Sequence, residues 1–159
     1  MKAWRQASPY GELTVVVGDA GLSEISLPGD DQPDVELTKA DRAISRQLDD
    51  WFAGKRHGFD VEVDLGEING FRRVVLETLA REVPWGEVVS YGELAGIAGR
   101  PRAARAVGSA MRNNPVPFVI PCHRVVAAGN RIGGYGGGRN AVALKRELLA
   151  REGVTGLRP

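Results

Sequence analysis

The chain reads as α/β, a small mixed α/β part followed by a mostly helical one, and three observations predict this. Two short apolar runs flank a turn near the start, a period of two returns once before residue 66, and beyond Gly66 the apolar residues recur at helical spacing. Residues 13–17 and 22–27 are strand-like, and Gly18-Asp19-Ala20-Gly21 between them predicts a hairpin. Residues 28–33 are polar and acidic, as in a loop. Over 38–52 the apolar Ala40, Ala43, Ile44, Leu48, Trp51 and Phe52 recur at helical spacing, and Gly54 marks the stop. Phe59, Val61, Val63 and Leu65 then alternate with polar residues as in a strand.

In the second half, Phe71, Val74, Val75, Leu79 and Ala80 mark a helix that ends before the turn residues Pro84-Trp85-Gly86. Ser90 and Glu93 have the spacing of a capping box, which predicts a short helix from Tyr91 to Gly99. Pro101 suits the first turn of the next helix, which runs to about Arg112. Two short helices joined by Gly-Arg-Pro resemble a helix-turn-helix, and the second carries Arg102, Arg105 and Arg112.

The length of 159 residues and 43% hydrophobic content suffice for a real core, in one unit or two small ones. We place a boundary at residue 68, giving domains 1–68 and 69–159. The first carries 7 Lys/Arg against 14 Asp/Glu, a net of −7, and the second 14 against 6, a net of +8. A basic unit beside an acidic one fits either a polyanion partner for the basic side or plain solvated surface charge. No apolar run approaches the roughly 20 residues that span a bilayer. The start, Met-Lys-Ala-Trp-Arg, leads into no secretory signal. The expectation is a cytoplasmic protein with a reduced thiol.

That thiol is Cys122, the one cysteine, in Ile120-Pro121-Cys122-His123-Arg124-Val125. A single cysteine forms no internal disulfide and supplies little of a metal site, so its work is either packing or chemistry. Neutral cysteine is mostly protonated at pH 7, and His123 is the adjacent candidate base, although chain neighbours often point apart. Asn113-Asn114-Pro115-Val116-Pro117 can fix a turn ahead of it. The glycine-rich residues 133–138 either let main chain approach a ligand closely or form a hairpin tip. His57, between Arg56 and Gly58, reads as a solvated loop residue.

Pro121-Cys122-His123-Arg124-Val125, with Asn114-Pro115 upstream and Gly134-Tyr135-Gly136-Gly137-Gly138 downstream, resembles the O6-alkylguanine-DNA alkyltransferases, the methylated-DNA–protein-cysteine methyltransferases. The likeness runs from Phe71 to Glu152 and takes in Ser90-Tyr91, residues 103–108 and residues 148–153; over 1–68 it is limited to Ser8-Pro9, Gly11 and Trp51-Phe52. It implies a ribonuclease H-like N-terminal domain, a winged-helix-like C-terminal one, and irreversible transfer of an alkyl group from guanine O6, with O4-alkylthymine as a second substrate. By the same resemblance Cys122 is the acceptor, His123 its base through a water, and Glu152 the group that orients His123. Asn114 braces the turn, and Tyr91 contacts the flipped nucleotide and donates to the base. Arg105 fills the vacated place in duplex DNA, with Ala104, Gly108, Ser109 and Arg112 beside it on the DNA. Met111, Val125, Tyr135, Gly136 and Gly137 are placed around the base, although some members carry serine where Gly136 stands. The implied partner is double-stranded DNA containing O6-alkylguanine, met by a free monomer. No cofactor, metal or membrane is implied.

Overall fold

The computed structural model describes residues 1–26, 35–135 and 141–159. The chain divides into two compact units, Met1–Gly66 and Glu67–Pro159. Among the described residues no helix is long and apolar enough to cross a membrane.

The first unit is an antiparallel three-stranded sheet, β1 (Lys2–Gln6), β2 (Leu13–Gly18) and β3 (Gly21–Ser26) in sequence order, with helix α1 (Lys39–Phe52). The hairpin expected between residues 13 and 27 is present, Gly18 pairing with Gly21; Leu27 lies outside the described residues. β1 escaped the sequence reading because Lys2 and Arg5 break its apolar pattern. Its inward side chains are Trp4 and the buried Gln6, which donates to Asp49 Oδ1 at 2.8 Å and accepts from Ser45 Oγ at 2.7 Å on α1. Helix α1 begins at a capping box between Thr38 and Asp41 and buries Leu48, Trp51 and Phe52.

The strand expected over 59–65 is a single rung. Leu22 exchanges backbone hydrogen bonds with Glu62 and Asp64. On either side the backbone is claimed by side chains: Gln47 takes both the N–H and the carbonyl of Asp60, and the Asp64 carboxylate accepts from Gly66 N. Side chains that compete for the backbone in this way end a ladder that the alternation alone would extend.

The second unit comprises α2 (Gly70–Glu82), a two-residue strand β4 (Val89–Ser90), α3 (Tyr91–Ile97), α4 (Ala104–Arg112), a single 3-10 turn (Cys122–Arg124), β5 (Val125–Val126) and α5 (Ala141–Arg151). α2, α3 and α4 pack on one another. Ser90 and Glu93 form the expected capping box. α4 starts later than Pro101 predicts: Ala103 N bonds Arg100 O, so Pro101 occupies the second position of a turn, where its fixed φ fits equally well, and helical geometry begins at Ala104. β4 and β5 pair in parallel through Val89–Val125 and Ser90–Val126, placing the residue before Tyr91 beside the residues after the cysteine.

Candidate active site

Cys122 is held by a succession of tight turns. Val119 N bonds Pro117 O, closing a three-residue turn over Phe118, a bulky residue at φ 71. Pro121 sits at φ −81, ψ 66, and Cys122 N bonds Ile120 O at 2.8 Å, an inverse γ-turn that the proline ring favours. Asn114 braces the loop from inside, donating to Ile120 O at 2.8 Å and accepting from Val116 N at 3.0 Å. The thiol is only 5% exposed. Burial pushes it up, and this outweighs the opposing help from the Asn114 amide, the Tyr135 hydroxyl 4.0 Å away and the Lys145 ammonium. Cys122 therefore rests as a thiol at neutral pH.

His123 and Glu152 are both buried, with His123 Nε2 and Glu152 Oε2 2.6 Å apart. Burial pushes His123 down, Glu152 pulls it up, and Arg124 and Lys145 push it down again, the net direction being down. The imidazole is thus neutral at pH 7, with Nε2–H donating to the carboxylate and Nδ1 left as the basic nitrogen. Glu152 accepts three further hydrogen bonds, from Arg124 Nε at 2.8 Å, Arg124 Nη2 at 3.2 Å and Gly86 N at 3.0 Å. Burial alone would raise its carboxyl, but the donors from His123 and Arg124 hold it down to about 2.

Glu152 stands just beyond α5, and the end of that helix fixes its place. Gly153 N bonds Ala150 O and Val154 N bonds Leu149 O, a Schellman ending with Gly153 left-handed at φ 84 and Val154 packed on the cluster around Leu149. Two turns back along the same buried face, Lys145 is fully buried. Its ammonium donates to Val125 O at 2.6 Å and Gly134 O at 2.9 Å and lies 5.8 Å from the centre of the Tyr91 ring. Burial brings it down to about 8.

Above Cys122 opens a cleft of about 660 Å³. Tyr91, Ala104, Arg105, Gly108, Ser109, Met111, Arg112 and Tyr135 line it with the cysteine; α4 buries Val107 and Ala110, and its buried Met111 also reaches the cleft. Tyr91 Oη donates to Gly134 O at 3.3 Å. Gly133 makes that approach possible, since a Cβ there would meet the Tyr91 ring at 3.2 Å and Ala127 N at 3.2 Å. Burial and the nearby sulfur push the Tyr91 phenol up against the opposing effect of Arg112, and burial pushes Tyr135 well above the ordinary phenol range. Both remain hydrogen-bond donors at neutral pH.

Residues 70–154 match the family model described as 6-O-methylguanine DNA methyltransferase, DNA binding domain. The chain is 40% identical over 150 residues to a methylated-DNA–protein-cysteine methyltransferase of Mycolicibacterium paratuberculosis, covering 91% of this chain and 88% of that one. It belongs to the methylated-DNA–protein-cysteine methyltransferase family. A Cricetulus griseus methyltransferase is 55% identical over 91 residues, 57% of this chain, and the match spans only 43% of that relative's length. The crystal structure of Mycobacterium tuberculosis OGT in complex with DNA superposes with a TM-score of 0.82 at 35% identity, over 96% of this chain and 93% of that one.

On this methyltransferase fold the residues expected from the sequence fall into three groups. Cys122, Tyr91, Ala104, Arg105, Gly108, Ser109, Met111, Arg112 and Tyr135 share the cleft. His123 and Glu152 lie outside the cleft lining as a buried pair, Asn114 is half-buried in the loop before the cysteine, and Val125 is fully buried with its carbonyl engaged by Lys145. Gly136 and Gly137 lie outside the described residues. The sequence reading missed Lys145 and the part Arg124 plays. The signal for Lys145 was present, since Lys145, Leu148, Leu149 and Glu152 follow an i, i+3, i+4, i+7 stripe that puts two charges on the apolar face of a helix, whereas no local pattern marks Arg124 as buried. Among the described residues no group of three or more His, Cys, Asp or Glu is arranged to hold a metal ion.

Proposed function

We propose that this chain carries out direct-reversal DNA repair, moving an alkyl group from O6-alkylguanine, and from O4-alkylthymine, in duplex DNA onto Cys122 in a single irreversible turnover. The observation that carries the reading is a buried thiol, beside a neutral histidine locked to a buried carboxylate, at the floor of a cleft walled by α4. Within it, His123 Nδ1 takes the thiol proton through a water, and Glu152 stabilises the resulting imidazolium. The sulfur bonds the alkyl carbon as the carbon–O6 bond breaks, and the electron pair stays with guanine. Tyr91 then supplies a proton to the base and regains one from solvent, while the His123 imidazolium releases the thiol proton to solvent, so that overall guanine gains the proton the thiol loses. Tyr135 and Lys145 face the thiolate while it exists.

O6 is out of reach inside a duplex, so the nucleotide must leave the stack, at a cost of a few kcal/mol. Exposed Arg105 at the mouth of the cleft takes the vacated place, with Ala104, Gly108, Ser109 and Arg112 against the DNA beside it and Met111 and Tyr135 against the base. Gly136 and Gly137 would complete the pocket. The reading takes α3 and α4 as the helix-turn-helix of a winged-helix-like DNA-binding and alkyl-acceptor domain, and the sheet with α1 as a ribonuclease H-like one. It places a free monomer in the cytoplasm, where Cys122 stays reduced.

The test is incubation with a duplex carrying O6-methylguanine, followed by intact-protein mass. Each molecule gains one methyl group and stops, and Cys122→Ala gains none. Repeated turnover, or transfer by Cys122→Ala, would sink the reading.

A further inference from the structure

Arg124 has no part in the chemistry as written, yet the residue is only 5% exposed and each of its three guanidinium nitrogens donates a hydrogen bond. Nε and Nη2 grip the two oxygens of Glu152, and Nη1 donates to Val83 O at 2.9 Å. The turn that supplies Val83 also supplies Gly86 N to the same carboxylate. We propose that Arg124 is a positioning residue for alkyl transfer, its fork fixing the Glu152 carboxylate against the Val83–Gly86 turn so that His123 is presented to Cys122 as an oriented base.

The fork has two effects that a lysine could not both reproduce. A planar guanidinium fixes the plane of the carboxylate, and hence the direction in which Nε2 is held, whereas an ammonium sets only a distance. Its charge also shares the carboxylate with His123. Buried next to Glu152 alone, an imidazole would be drawn toward imidazolium and could accept no proton from the thiol. The charged and titratable groups bearing on His123 among the described residues are Glu152, Arg124 and Lys145. The Val83–Gly86 turn contributes Val83 O and Gly86 N to the hub.

The proposal rests on His123 being the base in the reaction proposed above, and the test separates the two. Arg124→Met removes charge and fork, and Arg124→Lys removes the fork alone. The chain has two histidines, so a His57→Gln background leaves His123 as the sole imidazole for nitrogen-15 NMR. Methyl transfer from an O6-methylguanine duplex is timed between about pH 6 and 9 in the same proteins, the range in which a histidine titrates. In the His57→Gln parent His123 stays neutral. In Arg124→Met the His123–Glu152 pair takes up a proton, and the acid limb of the rate profile moves up by roughly 1–2 pH units. In Arg124→Lys the imidazole stays neutral while the rate falls by about tenfold or more from lost orientation. A folded Arg124→Met protein with unmoved His123 signals and an unmoved rate profile overturns the proposal. If that variant does not fold, Arg124→Lys decides, and a parental rate overturns it. A parent that takes no methyl group defeats the functional reading instead, and the His123 titration still reports on Arg124.

Discussion

Glu152→Gln keeps the size of the side chain and removes its charge. In the native protein the carboxylate accepts four hydrogen bonds, from His123, Gly86 and twice from Arg124. An amide has one oxygen to offer and turns an N–H₂ donor toward groups that are themselves donors. The displacement of the carboxyl from 4.5 to about 2 corresponds to roughly 3 kcal/mol of native-state stability at neutral pH. Because the substitution also strands a buried guanidinium, the expected loss is about 3–5 kcal/mol, a large share of a typical 5–15. Urea unfolding at pH 7, followed by circular dichroism, measures it. The pH dependence supplies a second check. A depressed folded-state value means that the stabilisation is fully present above 4.5 and is lost as pH falls through about 2. The gap between wild type and variant therefore stays flat in the neutral range and closes as acid is added. A loss below about 1 kcal/mol, or a gap that does not narrow in acid, would refute the view of Glu152 as a charged hub.

Other perturbations separate the remaining parts. Arg105→Ala slows transfer from duplex DNA far more than from free O6-benzylguanine, which needs no flipping; equal losses in the two second-order rate constants would withdraw its place in the stack. Lys145→Met removes the cation that lowers the Cys122 thiol, so the pH profile of iodoacetamide modification moves upward; an unmoved profile would show that the ammonium does not act on the sulfur. Gly153→Ala places a Cβ at φ 84 in open space, a strain of about 1–2 kcal/mol read as a lower thermal midpoint, and an unchanged midpoint would count against the Schellman ending. Affinity for duplex DNA falls with rising salt if the +8 half neutralises phosphates, and a flat dependence would remove that role.

Much of this protein was legible because local chemistry and tertiary structure agree. The Ser90–Glu93 box sets the start of α3, and the hairpin at Gly18–Gly21 follows from its turn residues. The reading failed where distant groups decide. The 59–65 segment has a strand's alternation, but Gln47, far along the chain, takes the backbone of Asp60. β1 is fixed by contacts of Gln6 with Ser45 and Asp49 that no local window contains. At the site, Cys122 drew attention as the one thiol, and the Pro121–Val125 run around it carried the family resemblance, in which Arg124 was given no role. Its burial depends on Glu152 and Val83, 28 and 41 positions away.

The same distances bear on how the second unit folds. Glu152 can be buried only once Arg124, His123 and Gly86 are in place around it, and the last of these is 66 residues back along the chain. A contact of that span closes a long loop, whose entropic cost the bonds of the carboxylate must offset. The end of α5 is thereby stapled to a turn near the start of the unit, and a chain cut short before Glu152 would leave the Arg124 guanidinium buried without its counter-charge.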